Sequence, residues 1–406
     1  MTTTAELGAV SDDSSAILLL CATLGKRRRD GAPPLSVGEY DQLAESLRHH
    51  DLRPHNLLFA DRSTLGSVAN RLAGTRWKDV TAERIAGLLE RGGQLALALS
   101  KWTSHGIWLV TRADPTYPAR YKQKLGRAAP PVVFGVGPPS LLDKGGLAVV
   151  GSREPDPRSE DFTRHVGEWA ALAGIQVVSG AARGVDEISM VSCAASGGTS
   201  VGVVGESLLR VSTRREFRSH IVRERMTFIS SFDPEAPFTV SNAMGRNRWI
   251  YALADRALVV ACSEGRGGTW AGAIEAMKRG VTVFVKTGNP DRPGNDALLR
   301  HGAKPAPSNL TDLLNEPVEG PTVSALVCDP DIFTMAAPII LARLRAPATV
   351  KELAADLQLT QAQIKAWLER LAENGTVVKT GTRFGLAAQS TSKSQSSQQI
   401  SLLPPT

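Results

Sequence analysis

Gln176-Val177-Val178-Ser179-Gly180-Ala181-Ala182-Arg183-Gly184-Val185-Asp186 is the stretch that decides the fold. A short Val-rich run ends in two glycines bracketing an arginine, and helical spacing resumes at Asp186. That is the junction of a buried strand with a following helix. Working outward, the same pattern recurs between about 145 and 305. The strand candidates are Leu147–Val150, 176–178, Ser200–Val203 with Val204, Thr227–Ile229, Leu258–Ala261 and Val281–Val285. They lack polar alternation, as strands covered on both faces should. Helices are predicted between them. Phe162, Val166, Trp169 and Ala173 share one face, and further helices fall at 186–196, 214–223, 248–253 and 271–278. Strictly alternating elements of this kind build an α/β doubly wound parallel sheet, which binds ligands where strand C-termini meet helix N-termini.

Four loops at those junctions carry the chemistry. Gly151-Ser152-Arg153 follows the first strand of the series. Glycine permits close backbone approach, and Ser and Arg donate to phosphate oxygens. The alternative is an ordinary turn. Ser179, Gly180, Arg183 and Gly184 follow the second strand, with Asp186 placed to cap the next helix. Arg246-Asn247-Arg248 opens a helix with two cations set against the helix dipole, which suggests an anion contact over a solvated turn. Gly267-Gly268-Thr269 opens another helix and offers backbone N–H groups, but without the Gly-Lys-Ser/Thr of a P-loop. From Arg210 to Arg225 there are six arginines. Arg214, Arg215 and Arg218 among them are candidates for secondary phosphate contacts, with a solvated face as the alternative.

The 406 residues suggest two or three domains. Apolar residues are 42% and charged residues 21%, which excludes a wholly disordered chain. The net charge of +7 permits nucleic-acid binding without proving it. Cys21, Cys193, Cys262 and Cys328 lie far apart, as buried thiols of a reducing compartment would. No apolar run approaches a membrane span. The expectation is a soluble, cytoplasmic protein needing no cofactor or metal and touching no membrane. Residues 1–105 are expected as an N-terminal helical region and 106–305 as the sheet domain. A linker is expected over 306–335, a three-helix unit ending in a hairpin over 336–388, and a disordered tail over 389–406. The run Lys26-Arg27-Arg28-Arg29 reads as a solvated face. The unit over 336–388 opens helices with Thr349-Val350-Lys351-Glu352, a capping box, and with Thr360. Gly375 is expected to stop the last helix, and a hairpin turns at Thr380-Gly381. Three helices and a hairpin make a winged helix-turn-helix. Its candidate contacts are Lys365, Lys379 and Arg383, to duplex DNA or to a protein.

The loops resemble those of the DNA-processing protein A (DprA/Smf) family over about 107–305. Gly151–Arg153 matches its Gly-Ser-Arg. Ser179, Gly180, Ala182, Arg183, Gly184 and Asp186 match its Ser-Gly-x-Ala-Arg-Gly-x-Asp, and Arg246–Arg248 its Arg-Asn-Arg. Tyr117-Pro118, Pro130-Pro131, Gly135–Gly137, Leu298-Leu299 and Gly302-Ala303 follow in the family's order. The chain departs from it at Ser189-Met190, Gly205–Leu208 and Ser230-Ser231. The resemblance implies an extended Rossmann fold and a single-stranded DNA-binding protein. Such a protein shields incoming or processed strands and helps load a RecA-type recombinase in natural transformation, without bond-making chemistry of its own. A homodimer is left open. A rival reading comes from the related Lonely Guy-type enzymes: a nucleotide N-glycosidase, or a nucleotide sensor in a defence system. Their glutamate would stand at Gly272 here, with Glu275 three residues later. Trp249 beside the Arg-Asn-Arg run is expected to be core.

Overall fold

The computed structural model describes residues 10–25, 31–288, 293–315, 332–344, 346–357, 359–373 and 376–386. Lys26–Arg29, Gly375, much of the expected linker and the tail over 389–406 lie outside the described residues. Two compact units divide the chain near 329–330.

The first unit opens with five helices: α1 (Asp12–Cys21), α2 (Val37–His49), α3 (Arg62–Ala73), α4 (Ala82–Leu89) and α5 (Gly92–Ser104). The helical spacing from Ile85 to Leu99 is interrupted at 90–91, and Gly92-Gly93 opens the second of the two helices. The sheet follows, with its helices between strands. In chain order these are β1 (Trp108–Thr111), α6 (Ala119–Leu125), β2 (Val132–Val136), β3 (Leu147–Val150), α7 (Pro157–Leu172), β4 (Val177–Ser179), α8 (Val185–Ala195) and β5 (Ser200–Val203). Then come α9 (Leu208–Ser212), α10 (Arg215–Val222), β6 (Met226–Ser230), α11 (Val240–Gly245), α12 (Asn247–Leu253), β7 (Arg256–Val259), α13 (Gly267–Lys278), β8 (Val283–Val285), α14 (Pro293–Arg300) and β9 (Lys304–Pro305).

The strands lie in the order β1-β2-β6-β5-β4-β3-β7-β8-β9. Seven, from β6 to β9, run parallel. β2 joins β6 antiparallel and β1 joins β2 antiparallel, an extension of the expected parallel sheet. The chain steps outward from β3 to β6, then returns to pair β7 on the other side of β3. The β3/β7 boundary is therefore the topological switch point, where open α/β sheets bind ligands.

Alternate residues of each strand feed two cores. Leu147 and Val149 face one, while Ala148 and Val150 face the other. The first core also contains Leu18, Leu43 and Ile85 of the N-terminal helices and Leu57 of the turn between α2 and α3, and Trp102 meets Phe134 edge-on at 4.8 Å. The N-terminal helices thus share a core with the sheet. Leu310 and Leu313, inside the span expected as linker, are buried in that same core, which is why the chain stays ordered past β9.

The second unit contains α15 (Ile332–Arg343), β10 (Ala348–Thr349), α16 (Val350–Leu357), α17 (Gln361–Glu373), β11 (Val377–Thr380) and β12 (Arg383–Leu386), with sheet order β10-β12-β11. Thr349 and Glu352 exchange the two hydrogen bonds of a capping box at 2.8 and 3.2 Å. Thr360 accepts from Gln363 N–H at 3.3 Å. Ile340, Leu353, Ile364, Leu368 and Phe384 form a core of this unit alone. No helix among the described residues is long and apolar enough to cross a membrane.

Candidate nucleic-acid interface

The loops that leave β3, β4, β5 and β6 border one cleft of about 380 Å³. Arg153, Gly180, Arg183, Arg214 and Arg246 line it, together with Glu154, Glu206 and Phe238. Arg153 and Arg183 are exposed. Four of the expected loop residues therefore meet at one place, although they come from chain segments nearly a hundred residues apart.

Close packing holds the loops there. Gly184 has φ +87°, and a Cβ would lie 2.5 Å from the Ser152 carbonyl. The Val185 N–H donates to that same carbonyl at 3.1 Å. A Cβ on Gly180 would fall within 2.1 Å of three Arg246 guanidinium atoms, so the guanidinium rests directly on the Gly180 backbone. Ala181 between them is held at φ +54°, a region uncommon for a residue with a side chain. At the switch point the Thr269 hydroxyl donates to the Gly151 carbonyl at 3.1 Å, closing the loop after β7 onto the loop after β3.

Several expected contacts have other duties. Arg246 is only 7% exposed and pairs with Asp186 at 3.6 Å. It forms the floor of the cleft, not its rim. Burial raises the Asp186 carboxyl above the usual range, against the pull of Arg246, and burial likewise lowers the Arg246 guanidinium. Asp186 was expected to cap its helix. Instead it lies inside α8 and accepts from Gly180 N–H at 3.2 Å, pinning the loop from behind. Ser179 is fully buried and gives its hydroxyl proton to the Val149 carbonyl at 2.6 Å, so it ties β4 to β3. The Ser152 hydroxyl accepts from Glu154 N–H at 3.1 Å.

Asn247 donates to the Gly268 carbonyl at 2.9 Å, which positions the glycine loop. Arg248 donates to the Gly245 carbonyl at 3.2 Å and is not among the residues lining the cleft. Gly267-Gly268-Thr269 does open α13, with no side-chain cap on its N–H groups, beside the cleft and outside its lining. Arg214 lines the cleft but is held by Glu187 and lies over the Phe217 ring at 4.6 Å. Arg215 and Arg218 are exposed on α10 without an ion pair among the described residues. In the second unit, Lys365 lies 3.9 Å from Glu369, Arg383 lies 3.5 Å from Glu352, and Lys379 sits over the Phe384 ring. Trp249 is buried, as expected. Glu275 lies 3.0 Å from Arg279 and does not line the cleft.

Sequence reasoning missed Phe238 and Asn295. Asn295 is 2% exposed, accepts from Cys262 N–H at 2.9 Å and donates to the Val260 and Lys286 carbonyls, each at 2.8 Å. It thereby sets the path of the chain leaving β7. Its place just after Gly294 at a helix start was the available signal. Phe238 had none beyond its being an isolated aromatic in a polar loop.

The family model described as DNA recombination-mediator protein A matches residues 108–317, just over half of the chain. The chain belongs to the DNA recombination-mediator protein A family. Protein Smf of Escherichia coli (strain K12) is 31% identical over 179 residues, covering 43% of this chain and 48% of the relative. DNA processing protein DprA of Bacillus subtilis (strain 168) is 26% identical over 217 residues, covering 52% of this chain and 72% of the relative. The chain thus spans about half the length of the first relative and nearly three quarters of the second. The structure of DNA processing protein A from Streptococcus pneumoniae superposes with a TM-score of 0.56 at 20% identity, covering 76% of this chain and 99% of the other. That likeness shows the fold, an extended Rossmann-like sheet with its helices. The matched span begins at β1 and ends just past the buried Leu313.

Proposed function

We propose that this DprA/Smf-type chain binds single-stranded DNA along the C-terminal rim of its sheet. There it shields the strand and presents it to a RecA-type recombinase. The observation that carries this is the meeting of exposed Arg153 and Arg183 in one cleft beside the switch point, over a floor of buried Arg246. Guanidinium groups give bidentate donors to phosphate, and the Gly180 and Gly184 turns let the backbone approach. Arg215 and Arg218 on α10 extend the positive surface beyond the cleft. Glu154 and Glu206 on its wall restrict where a polyanion can lie. Family membership supports a role in DNA recombination.

The reading predicts that R153A/R183A lowers affinity for a single-stranded oligonucleotide by about 3 kcal/mol or more, since each charged hydrogen bond contributes ~1.5–3 kcal/mol. The slope of log K against log salt should fall by roughly 0.7 for each lost contact. Both are measured by fluorescence anisotropy across a salt series. Unchanged affinity and slope in a folded double mutant would sink the reading. Base released from a nucleoside monophosphate would favour the glycosidase alternative instead. Glu275, the carboxylate that alternative would use, is held by Arg279.

For residues 332–386 we infer a winged-helix module, from the helix-strand-helix-helix-hairpin order and the self-contained core. Two of its three candidate cations have acidic neighbours, which supports docking to a protein over gripping a duplex.

A further inference from the structure

Phe238 lies in the loop between β6 and α11 and is 45% exposed. Its neighbours at 237, 239 and 240 are exposed as well. A phenylalanine left so far in water contributes little to the core. The Arg153 guanidinium lies over its ring, with Cζ 4.8 Å from the ring centroid. Both residues line the cleft. The cleft volume of about 380 Å³ sits at the low end of the ~300–1,000 Å³ seen for small-ligand pockets, more than a phosphate group alone occupies. The wall of this cleft therefore carries a partly exposed aromatic ring with a guanidinium over it.

We propose that Phe238, held by Arg153, is the base-stacking platform of the cleft and the residue by which it selects unpaired nucleotides. This rests on the single-strand reading above. An aromatic ring binds any base through its π-face, so the contact tolerates sequence. Inside a duplex that face is covered by neighbouring base pairs, whereas a single strand can turn one base onto the ring. Arg153 then has two tasks: its N–H edge meets a phosphate, and its planar face orders Phe238. Arg183 and Arg246 supply charge alone.

The test compares two 20-mers in the full chain at one salt concentration, oligo-dT and a strand of the same length with an abasic run at its centre. The wild type should bind oligo-dT about 10-fold more tightly. F238A should lose most of that difference while keeping its affinity for the abasic strand. F238W should preserve it. R153K, which keeps the charge but lacks the planar face, should lower oligo-dT affinity more than abasic affinity. Equal weakening of both strands by F238A, or no effect on either, would overturn the platform and leave the single-strand reading standing. A wild-type chain that binds neither strand overturns both. Because Phe238 belongs to none of the hydrophobic cores, its replacement leaves them intact, and matched thermal melts verify this.

Discussion

Asp186 and Arg246 form a buried ion pair beneath the cleft. Each is withdrawn from water, so burial disfavours both charges, and their 3.6 Å attraction offsets that cost only in part. Removing one partner strands the other. D186A should therefore destabilise the chain by about 3–5 kcal/mol, read as a shift in the urea midpoint. A midpoint within error of the wild type would show the pair to be dispensable. The Arg246 Nε is buried without a hydrogen-bond partner among the described residues. Lys124 gives a second prediction at this scale. Burial lowers its ammonium from 10.5 to about 8, and its Nζ donates to the Ala254 carbonyl. Between those pH values the unfolded chain binds more protons at this site than the folded one. This side chain therefore makes stability rise with pH across pH 8 to 10.5. The difference in unfolding free energy between wild type and K124M should grow in that window. A flat difference would mean that the folded lysine titrates normally.

Among the elements, the strand-to-helix turns matter most, because they convert sheet order into a site. Gly184 occupies φ +87° with the Ser152 carbonyl where a Cβ would go. G184A should cost ~2–3 kcal/mol and also weaken strand binding, since it pushes the loop that carries Arg183 away from the one that carries Arg153. Full affinity in a stably folded G184A would argue that the two loops act independently. These turns were legible in the sequence because Val/Ile runs, glycines and helical spacing are local signals. What was not legible depended on distant partners. Asp186 meets Arg246 across sixty residues of chain, so neither burial nor pairing left a periodic trace. Ser179 looked like a phosphate donor because its hydroxyl sits in a glycine loop. Only the packing of β4 on β3 reveals that the Val149 carbonyl claims it. Phe238 has no periodicity at all.

The whole molecule divides where its cores divide. Ile340, Leu353, Ile364, Leu368 and Phe384 need no other part of the chain to be buried. A fragment of residues 330–388 should therefore fold by itself, giving a cooperative thermal transition by circular dichroism. A fragment beginning at 106 should fare worse than one beginning at 10, because it exposes the core that Trp102 shares with Phe134. A fragment from 106 as stable as the longer one would show that shared core to be incidental.

The borders of the nine-stranded sheet carry one more consequence. At one side β9 is two residues long and ends in Pro305, which has no amide proton to give. At the other, β1 spans four residues, and the Asp114 carboxylate takes the Thr111 amide at 2.6 Å. Neither margin presents a long open ladder to a neighbour. Edge-to-edge pairing between copies through this sheet is therefore disfavoured on both sides.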